Sequence, residues 1–314
     1  MRPIGSTNGR IPRGGYPAVT PALGGFLAGF IEGEGCFLIT RQTRGYGYRC
    51  GMSLTARDDD EALINQLAKT TRLGTVRRTA DRPTSRPQVT WRVMAKSDCR
   101  RLMELLHAYP LRGRKGGDFA IWAAAVNWWI GSDATERRPS REWGPMPYLK
   151  ERLGAAKRYD ASLYTCIDSG PPGLSSDWSD FLAGFITAEG HLGMNRTTAG
   201  SFAPRLTVRL RADDEPLLGE LRNRLDGGKI RGPYSGRHPV LNWTIASRDD
   251  LLRTVAVLDE HPLKGRKQVE YRLWREAVGI YASDRARREQ RGRLLTLERE
   301  LKRARAYSTR VDYP

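Results

Sequence analysis

The chain has 314 residues, 39% hydrophobic and 28% charged, a globular composition with enough length to bury a core. No apolar run is long enough to span a membrane, and Met1–Pro21 carries no apolar stretch after its basic residues, so neither a transmembrane segment nor a signal peptide is expected. Lysine and arginine number 53 against 35 acids, and the net charge of +18 predicts a polyanionic partner, most often nucleic acid.

After an N-terminal arm, residues 1–22, comes the string Phe26-Leu27-Ala28-Gly29-Phe30-Ile31-Glu32-Gly33-Glu34-Gly35. The small residues Ala28, Gly29 and Gly33 at near-helical spacing predict a helix over Leu27–Gly35 that packs closely on another helix. Glycine inside a helix costs about 1 kcal/mol relative to alanine, so these glycines want a packing reason. Arg49–Arg57 alternates as a strand, with Cys50, Met52, Leu54 and Ala56 on one face and Arg49, Ser53, Thr55 and Arg57 on the other. The acidic turn Asp58-Asp59-Asp60-Glu61 opens a helix. Leu73-Gly74-Thr75-Val76-Arg77 and Thr90-Trp91-Arg92-Val93 give further strands. Tyr109-Pro110-Leu111-Arg112-Gly113-Arg114-Lys115 follows, then Trp122, and a last helix after the strands completes a first half-domain, residues 23–130.

Residues 131–177, rich in Pro, Gly, Arg and Ser, read as an inter-repeat linker with a short helix over Tyr148–Tyr159. The opening string then returns as Phe181–Gly190, ending in Ala188-Glu189-Gly190, and every later segment recurs in order. Asp213-Asp214-Glu215 repeats the acidic turn, Gly227-Gly228-Lys229-Ile230-Arg231 and Asn242-Trp243-Thr244-Ile245 repeat the strands, and His261-Pro262-Leu263-Lys264-Gly265-Arg266-Lys267 repeats the basic segment, with Trp274 after it at the same distance as Trp122. Trp91 precedes Pro110 by the same distance as Trp243 precedes Pro262, which makes a chance match untenable. The second half-domain spans 178–283. Residues 284–314 form a basic tail whose helix, over Asp284–Ala306, is expected to be solvated.

Each half reads helix, strand, strand, helix, strand, strand, helix, so the fold class is α+β: two pseudo-symmetric αββαββα half-domains. In each, one sheet face is apolar and packs on helices, and the other is polar and basic, a plausible floor for a DNA groove. Glu34 and Glu189 end the two repeated helices, where the macrodipole and mutual repulsion disfavour carboxylates unless divalent cations bind. Hard oxygen ligands with no nearby His or Cys suit Mg²⁺ rather than zinc. Such a metal lowers the pKa of an attacking water and neutralises a leaving oxygen. The cysteines Cys36, Cys50, Cys99 and Cys166 form no CxxC, so no zinc site or disulfide framework is expected.

The repeated string resembles the LAGLIDADG motif of the homing endonucleases, in the single-chain form with two motifs: Leu27-Ala28-Gly29-Phe30-Ile31-Glu32-Gly33-Glu34-Gly35 and Leu182-Ala183-Gly184-Phe185-Ile186-Thr187-Ala188-Glu189-Gly190. The resemblance covers roughly Phe26–Trp129 and Asp180–Tyr281. It implies that the motif helices form the interface between the halves and that two four-stranded antiparallel sheets make a saddle over DNA. It assigns metal contact to Glu34 and Glu189, with the preceding Gly33 and Ala188, and catalysis to Glu34, Glu189, Lys115 and Lys267. The lysines would stabilise developing negative charge or depress a water pKa. The earlier acidic position holds Glu32 in one copy and Thr187 in the other, which argues against Glu32 as a catalytic residue. A polar residue near the end of the second strand, which in the family orients a water, falls at Ala56 or Arg57 and at Arg211.

By alternation the DNA-contacting positions are Thr40, Gln42, Arg44, Arg49, Ser53, Arg77 and Thr79 in the first half. In the second they are Asn195, Thr197, Arg205, Thr207, Arg209, Lys229, Arg231, Asn242 and Thr244. Their unlike side chains predict a long, asymmetric target. The expected activity is site-specific double-strand DNA cleavage, one phosphodiester per strand, by a monomer that needs no protein partner or membrane. Its cofactor would be Mg²⁺ or another divalent cation such as Mn²⁺, with Ca²⁺ in a non-cleaving state. The expected location is the bacterial cytoplasm, at the nucleoid, or an organellar matrix. A non-cleaving nucleic-acid binder of the same fold, an RNA splicing maturase or a DNA-binding regulator, is the alternative.

Overall fold

In the computed structural model, which describes residues 15–42, 47–79, 87–131, 143–159, 176–198, 202–236 and 238–306, each repeated motif is a helix that runs directly into an edge strand. Helix α1 (Pro21–Glu34) begins at Thr20, whose hydroxyl accepts a hydrogen bond from the Leu23 amide at 3.3 Å, and Pro21 occupies the first turn, where its missing N–H costs nothing. The next residue, Gly35, is already extended and starts strand β1 (Gly35–Arg41). A Cβ there would lie 2.6 Å from the Ile31 carbonyl oxygen, and one at Gly190 would lie 2.7 Å from that of Ile186. The glycine after each motif acid therefore answers a need for close approach, not for a left-handed backbone.

The chain divides into two compact units, Met1–Ser169 and Gly170–Pro314. The first continues through β2 (Tyr48–Arg57), α2 (Glu61–Thr71), β3 (Thr75–Thr79), β4 (Gln88–Val93), α3 (Lys96–Ala108), α4 (Lys115–Gly131) and α5 (Met146–Ala156). The second runs α6 (Ser176–Glu189), β5 (Gly190–Arg196), β6 (Phe202–Arg211), α7 (Glu215–Arg224), β7 (Lys229–Tyr234), β8 (Val240–Ile245), α8 (Arg248–Glu260), α9 (Arg266–Ala282), α10 (Asp284–Glu289) and α11 (Arg291–Arg305). Both sheets are four-stranded and antiparallel, in the orders β1-β2-β4-β3 and β5-β6-β8-β7.

The register places the alternating residues as the sequence requires. Met52 pairs with Phe37 and Val93, and Leu54 with Gly35 and Trp91, so the apolar face of the first sheet is continuous and buried. Leu206 pairs with Leu192 and Ile245, and Val208 with Gly190 and Trp243, in the second. Helices cover these faces, with Leu102 and Leu106 of α3, Trp122 and Val126 of α4, and Trp274 and Val278 of α9 fully buried. The Trp91 indole donates to the Leu73 carbonyl at 2.7 Å and the Trp243 indole to that of Gly227 at 3.1 Å. Gly74 (φ +66°) and Gly228 (φ +82°) adopt the left-handed turn beside these tryptophans, and their amides donate to Asp98 and Asp250 at 3.0 and 2.9 Å.

Three features depart from the sequence reading. The last helix of each half is two helices, because Pro110 and Pro262 cannot continue α3 and α8 and hold the preceding Tyr109 and His261 out of helical geometry. The short helix expected in the linker is present as α5, offset to Met146–Ala156; it belongs to the first unit and packs on α4 and β1, with Met146, Leu149 and Leu153 buried. The tail helix is not solvated all round. Leu294, Leu297 and Leu301 of α11 are buried, two of them against Ala277 and Ile280 of α9, and the basic residues take the other face. A leucine stripe of helical period in an Arg-rich segment has a covered face as its physical consequence.

Candidate active site and nucleic-acid interface

Glu34 and Glu189 are the last residues of α1 and α6, half-exposed in each case. Each half brings a lysine to that helix end. The Lys115 ammonium donates to the Gly33 carbonyl, and to that of Ile31 at 3.4 Å; the Lys267 ammonium donates to the Gly190 carbonyl at 2.7 Å. In both units, then, the first residues of a helix following the Pro-Leu turn place an ammonium within one residue of the motif acid. Arg114 and Arg266, one residue earlier, turn the other way. Arg114 pairs with Asp118 at 3.2 Å and Arg266 pairs with Glu270. Gly33 and Ala188, the residues before the acids, are half-exposed with them, and the Gly33 carbonyl is one of the Lys115 acceptors.

Glu32 has a role that the sequence did not reveal. It is buried, and its carboxylate accepts from the main-chain amides of Arg112 and Gly113 at 3.0 Å each and of Lys115 at 3.2 Å. It thus caps the start of α4 and pins Lys115 to the motif helix. In the second half Thr187 takes the same place more weakly, its hydroxyl accepting from the Lys264 amide at 3.4 Å and donating to the Ala183 carbonyl at 2.7 Å. Ala56 faces the core side, paired with Val89, which leaves Arg57 as the polar residue at the end of β2. Arg57 and Arg211 are matched: each is bound to the acid two residues on, Arg57 to Asp59 at 2.5 Å and Arg211 to Asp213.

The polar sheet faces carry the expected contact residues. Ser53 pairs with Arg92, which pairs with Thr75, and Thr40 with Arg49. Arg77 pairs with Thr90 and Thr79 with Gln88 on the same face. In the second sheet, Thr207, Thr244 and Lys229 form one row, Arg209, Asn242 and Arg231 the next, and Arg205 and Asn195 lie on the same side of their strands. None of the eight strands among the described residues contains an acid. Gln42 and Thr197 lie just past the ends of β1 and β5, and Arg44 lies outside the described residues. Arg92, Gln88 and Thr90 share the first face, and His191, next to Gly190, shares the second. Alternation about Trp91 and within β5 was the available signal for them.

No group of three or more His, Cys, Asp and Glu suited to a metal ion occurs among the described residues. The donors at each helix end are one carboxylate and main-chain carbonyls. That set fits a hard divalent cation that completes its shell with water and phosphate, and it does not fit zinc. Cys50 and Cys99 are buried, and burial pushes the Cys50 thiol up to about 12 and that of Cys99 up as well, so neither is poised as a ligand. Cys166 lies outside the described residues.

The family model described as LAGLIDADG endonuclease matches residues 27–126 and 182–278, once for each repeat and over most of the chain. The chain belongs to the LAGLIDADG endonuclease family. Among solved structures, the LAGLIDADG meganuclease I-AabMI, bound to uncleaved DNA, is 19% identical at a TM-score of 0.69, over 91% of this chain and 98% of that one. I-SmaMI, bound to an uncleavable DNA, is 17% identical at a TM-score of 0.71, over 90% and 100%. I-GzeII, in complex with its DNA target, is 14% identical at 0.69, over 92% and 100%. At these identities the likeness concerns the fold. No curated protein matches the sequence. Outside both matched stretches lie α5, α10 and α11, so the matched repeats carry the acids and lysines.

Proposed function

We propose that this LAGLIDADG protein is a site-specific double-strand DNA endonuclease that hydrolyses one phosphodiester per strand at a long, asymmetric target, with Mg²⁺ or a similar divalent cation. One observation carries the reading: an acid at the end of each motif helix with a lysine ammonium on a main-chain carbonyl next to it, built twice. A family member kept only for binding would need the basic sheets and not this pair. I-SmaMI is known bound to its uncleaved target with calcium ions present, and as variants with one or both of two lysines changed to alanine. Those structures encourage the assignment of metal and lysine roles here.

In this mechanism Glu34 and Glu189 would hold the divalent ions, with carbonyl help from Gly33 and Ala188. The chemistry supplied there would be activation of a water and neutralisation of charge on the departing oxygen. Lys115 and Lys267 supply fixed positive charge where the phosphate becomes more negative. The sheet rows seat the duplex: Arg49, Arg77, Arg92, Arg209 and Arg231 meet phosphates or base edges, and Ser53, Thr207, Asn242 and Thr244 add directional hydrogen bonds. The unlike rows of the two sheets favour an asymmetric site. The protein acts as a monomer, in a nucleoid-containing cytoplasm or an organellar matrix, and serves the spread of an intron or other mobile element.

The test is cleavage of a randomised plasmid library with and without Mg²⁺, with Glu34→Gln and Glu189→Gln as companions. Metal-dependent linear product from the unaltered protein, lost in both variants with binding retained, is the expected result. Binding without cleavage under any divalent metal, or cleavage that the two glutamine variants perform equally well, would overturn the proposal.

A further inference from the structure

The two appended helices do the same thing in their two halves, although no sequence motif relates them. Helix α5 packs on α4 and β1, and α11 packs on α9, β5 and β6. Just past the end of α5, Lys157 donates to the Phe37 carbonyl and lies 3.3 Å from the Cys36 sulfur. At the end of α11, Arg305 donates to the Leu192 carbonyl. Phe37 and Leu192 are equivalent: each is the third residue after a motif acid, on the edge strand of its sheet. Edge-strand carbonyls without a strand neighbour need another donor, and here both donors are cations delivered from outside the family repeat.

One of these cations, Arg305, also binds the acid that neighbours the lysine of its half. Glu270 is 0% exposed, accepts from Arg305 at 3.2 Å and from Arg266, and has the Lys267 ammonium at 3.7 Å. Its counterpart Asp118, 3% exposed, is held by Arg114 at 3.2 Å; burial pushes its carboxyl up, the charges of Arg114, Lys157 and Lys115 offset part of that, and its Oδ1 accepts no hydrogen bond. Lys267 thus stands between two acceptors, the helix end beside the motif acid and the buried Glu270, while Lys115 is held at its helix end with the buried Asp118 three residues on. A buried carboxylate stripped of one cation recruits another strongly, because its charge has no water to fall back on.

We infer that Lys157 and Arg305 are positioning residues for cleavage: each fixes the strand after the motif acid by donating to an edge carbonyl, and Arg305 also binds the buried Glu270, so that Lys115 or Lys267 stays at the helix end. The inference rests on the nuclease reading above and adds residues that the repeat does not contain.

The experiment uses the full chain, Mg²⁺ and a supercoiled plasmid bearing the selected target, with strand-specific end labels and single-turnover conditions. Lys157→Met and Arg305→Met each slow cleavage of one strand by about tenfold, nicked circle accumulates, and the slow strand is opposite in the two variants. Target affinity changes by less than about threefold, because the sheet contacts are untouched. Lys157→Arg and Arg305→Lys retain the unaltered rate, and adding Glu270→Gln to Arg305→Met restores much of it by removing the competing charge. Lys157→Gln and Arg305→Gln replace the methionine variants if those melt early. Equal slowing of both strands, affinity lost in proportion to rate, or unaltered rates in all variants would each overturn the inference while leaving the nuclease intact. An unaltered protein that fails to cut would overturn the nuclease reading itself.

Discussion

Replacing Glu32 with alanine tests how the first half holds its lysine. The side chain is 6% exposed and accepts three main-chain amides, from Arg112, Gly113 and Lys115. Truncation leaves those donors without their acceptor in a place water reaches poorly, at about 1–3 kcal/mol for each donor left unsatisfied. Partial rehydration at the rim of the turn lowers the sum, and the expected loss is about 3–6 kcal/mol, a large part of a typical domain stability. For a unit of this size that is a fall in midpoint of roughly 6–20 °C. Glu32→Thr, which copies Thr187, keeps one acceptor and should lose about half as much. Thermal unfolding followed by circular dichroism, with urea titration as a second measure, reads both. A midpoint for Glu32→Ala within about 2 °C of the unaltered protein would refute the cap and, with it, the account of how Lys115 is placed.

Other outcomes follow from the same geometry. Leu297→Ala should cost about 2–5 kcal/mol in urea titration, because its side chain is buried on α9, whereas Leu295→Ala, exposed on the same helix, should stay within about 0.5 kcal/mol; equal effects would deny that α11 is docked. Arg77→Ala and Arg231→Ala should each weaken DNA binding and reduce the salt slope of log K by about 1, while Arg78→Ala, which pairs with Val89 on the other face and binds Asp58 at 2.9 Å, should not. Binding titrations over a range of salt measure this, and loss with Arg78→Ala but not Arg77→Ala would reverse the assignment of sheet faces.

Acid stability has a sign set by two surface pairs. Hydrogen bonds from Arg275 hold the Asp259 carboxyl below its ordinary range, and those from Arg293 do the same for Glu276. Folded-state values below the unfolded ones mean stabilisation present at neutral pH and lost as pH falls through the carboxylate range, from about 5 downward. Because these pairs are well exposed, each contributes at most about 1 kcal/mol. Arg293→Gln should therefore flatten the acid limb of midpoint against pH without moving the neutral value by more than a few degrees. A steeper acid limb in that variant would contradict the sign.

The sequence by itself determined the repeat, the strand faces and the ends of the motif helices. Those are periodic or local properties: alternation about Trp91 and Trp243 decides which side chains share a face, and the glycines at 35 and 190 mark where a helix must yield to a strand packed against its own last turn. It also singled out Lys115 and Lys267 from neighbouring arginines only through a family resemblance, since in each half the lysine and the arginine share one basic turn. Tertiary structure decided that the lysines turn to the helix ends and Arg114 and Arg266 to buried acids. Contacts between residues far apart in sequence leave no period behind them. Glu32 meets the amides of Arg112, Gly113 and Lys115 across most of a half-domain, and Lys157 and Arg305 reach strands that lie more than a hundred residues earlier in the chain. Nothing local to a lysine in a Gly-Pro-Arg-rich segment, or to one arginine among many in a tail, distinguishes it until folding brings an edge-strand carbonyl within reach.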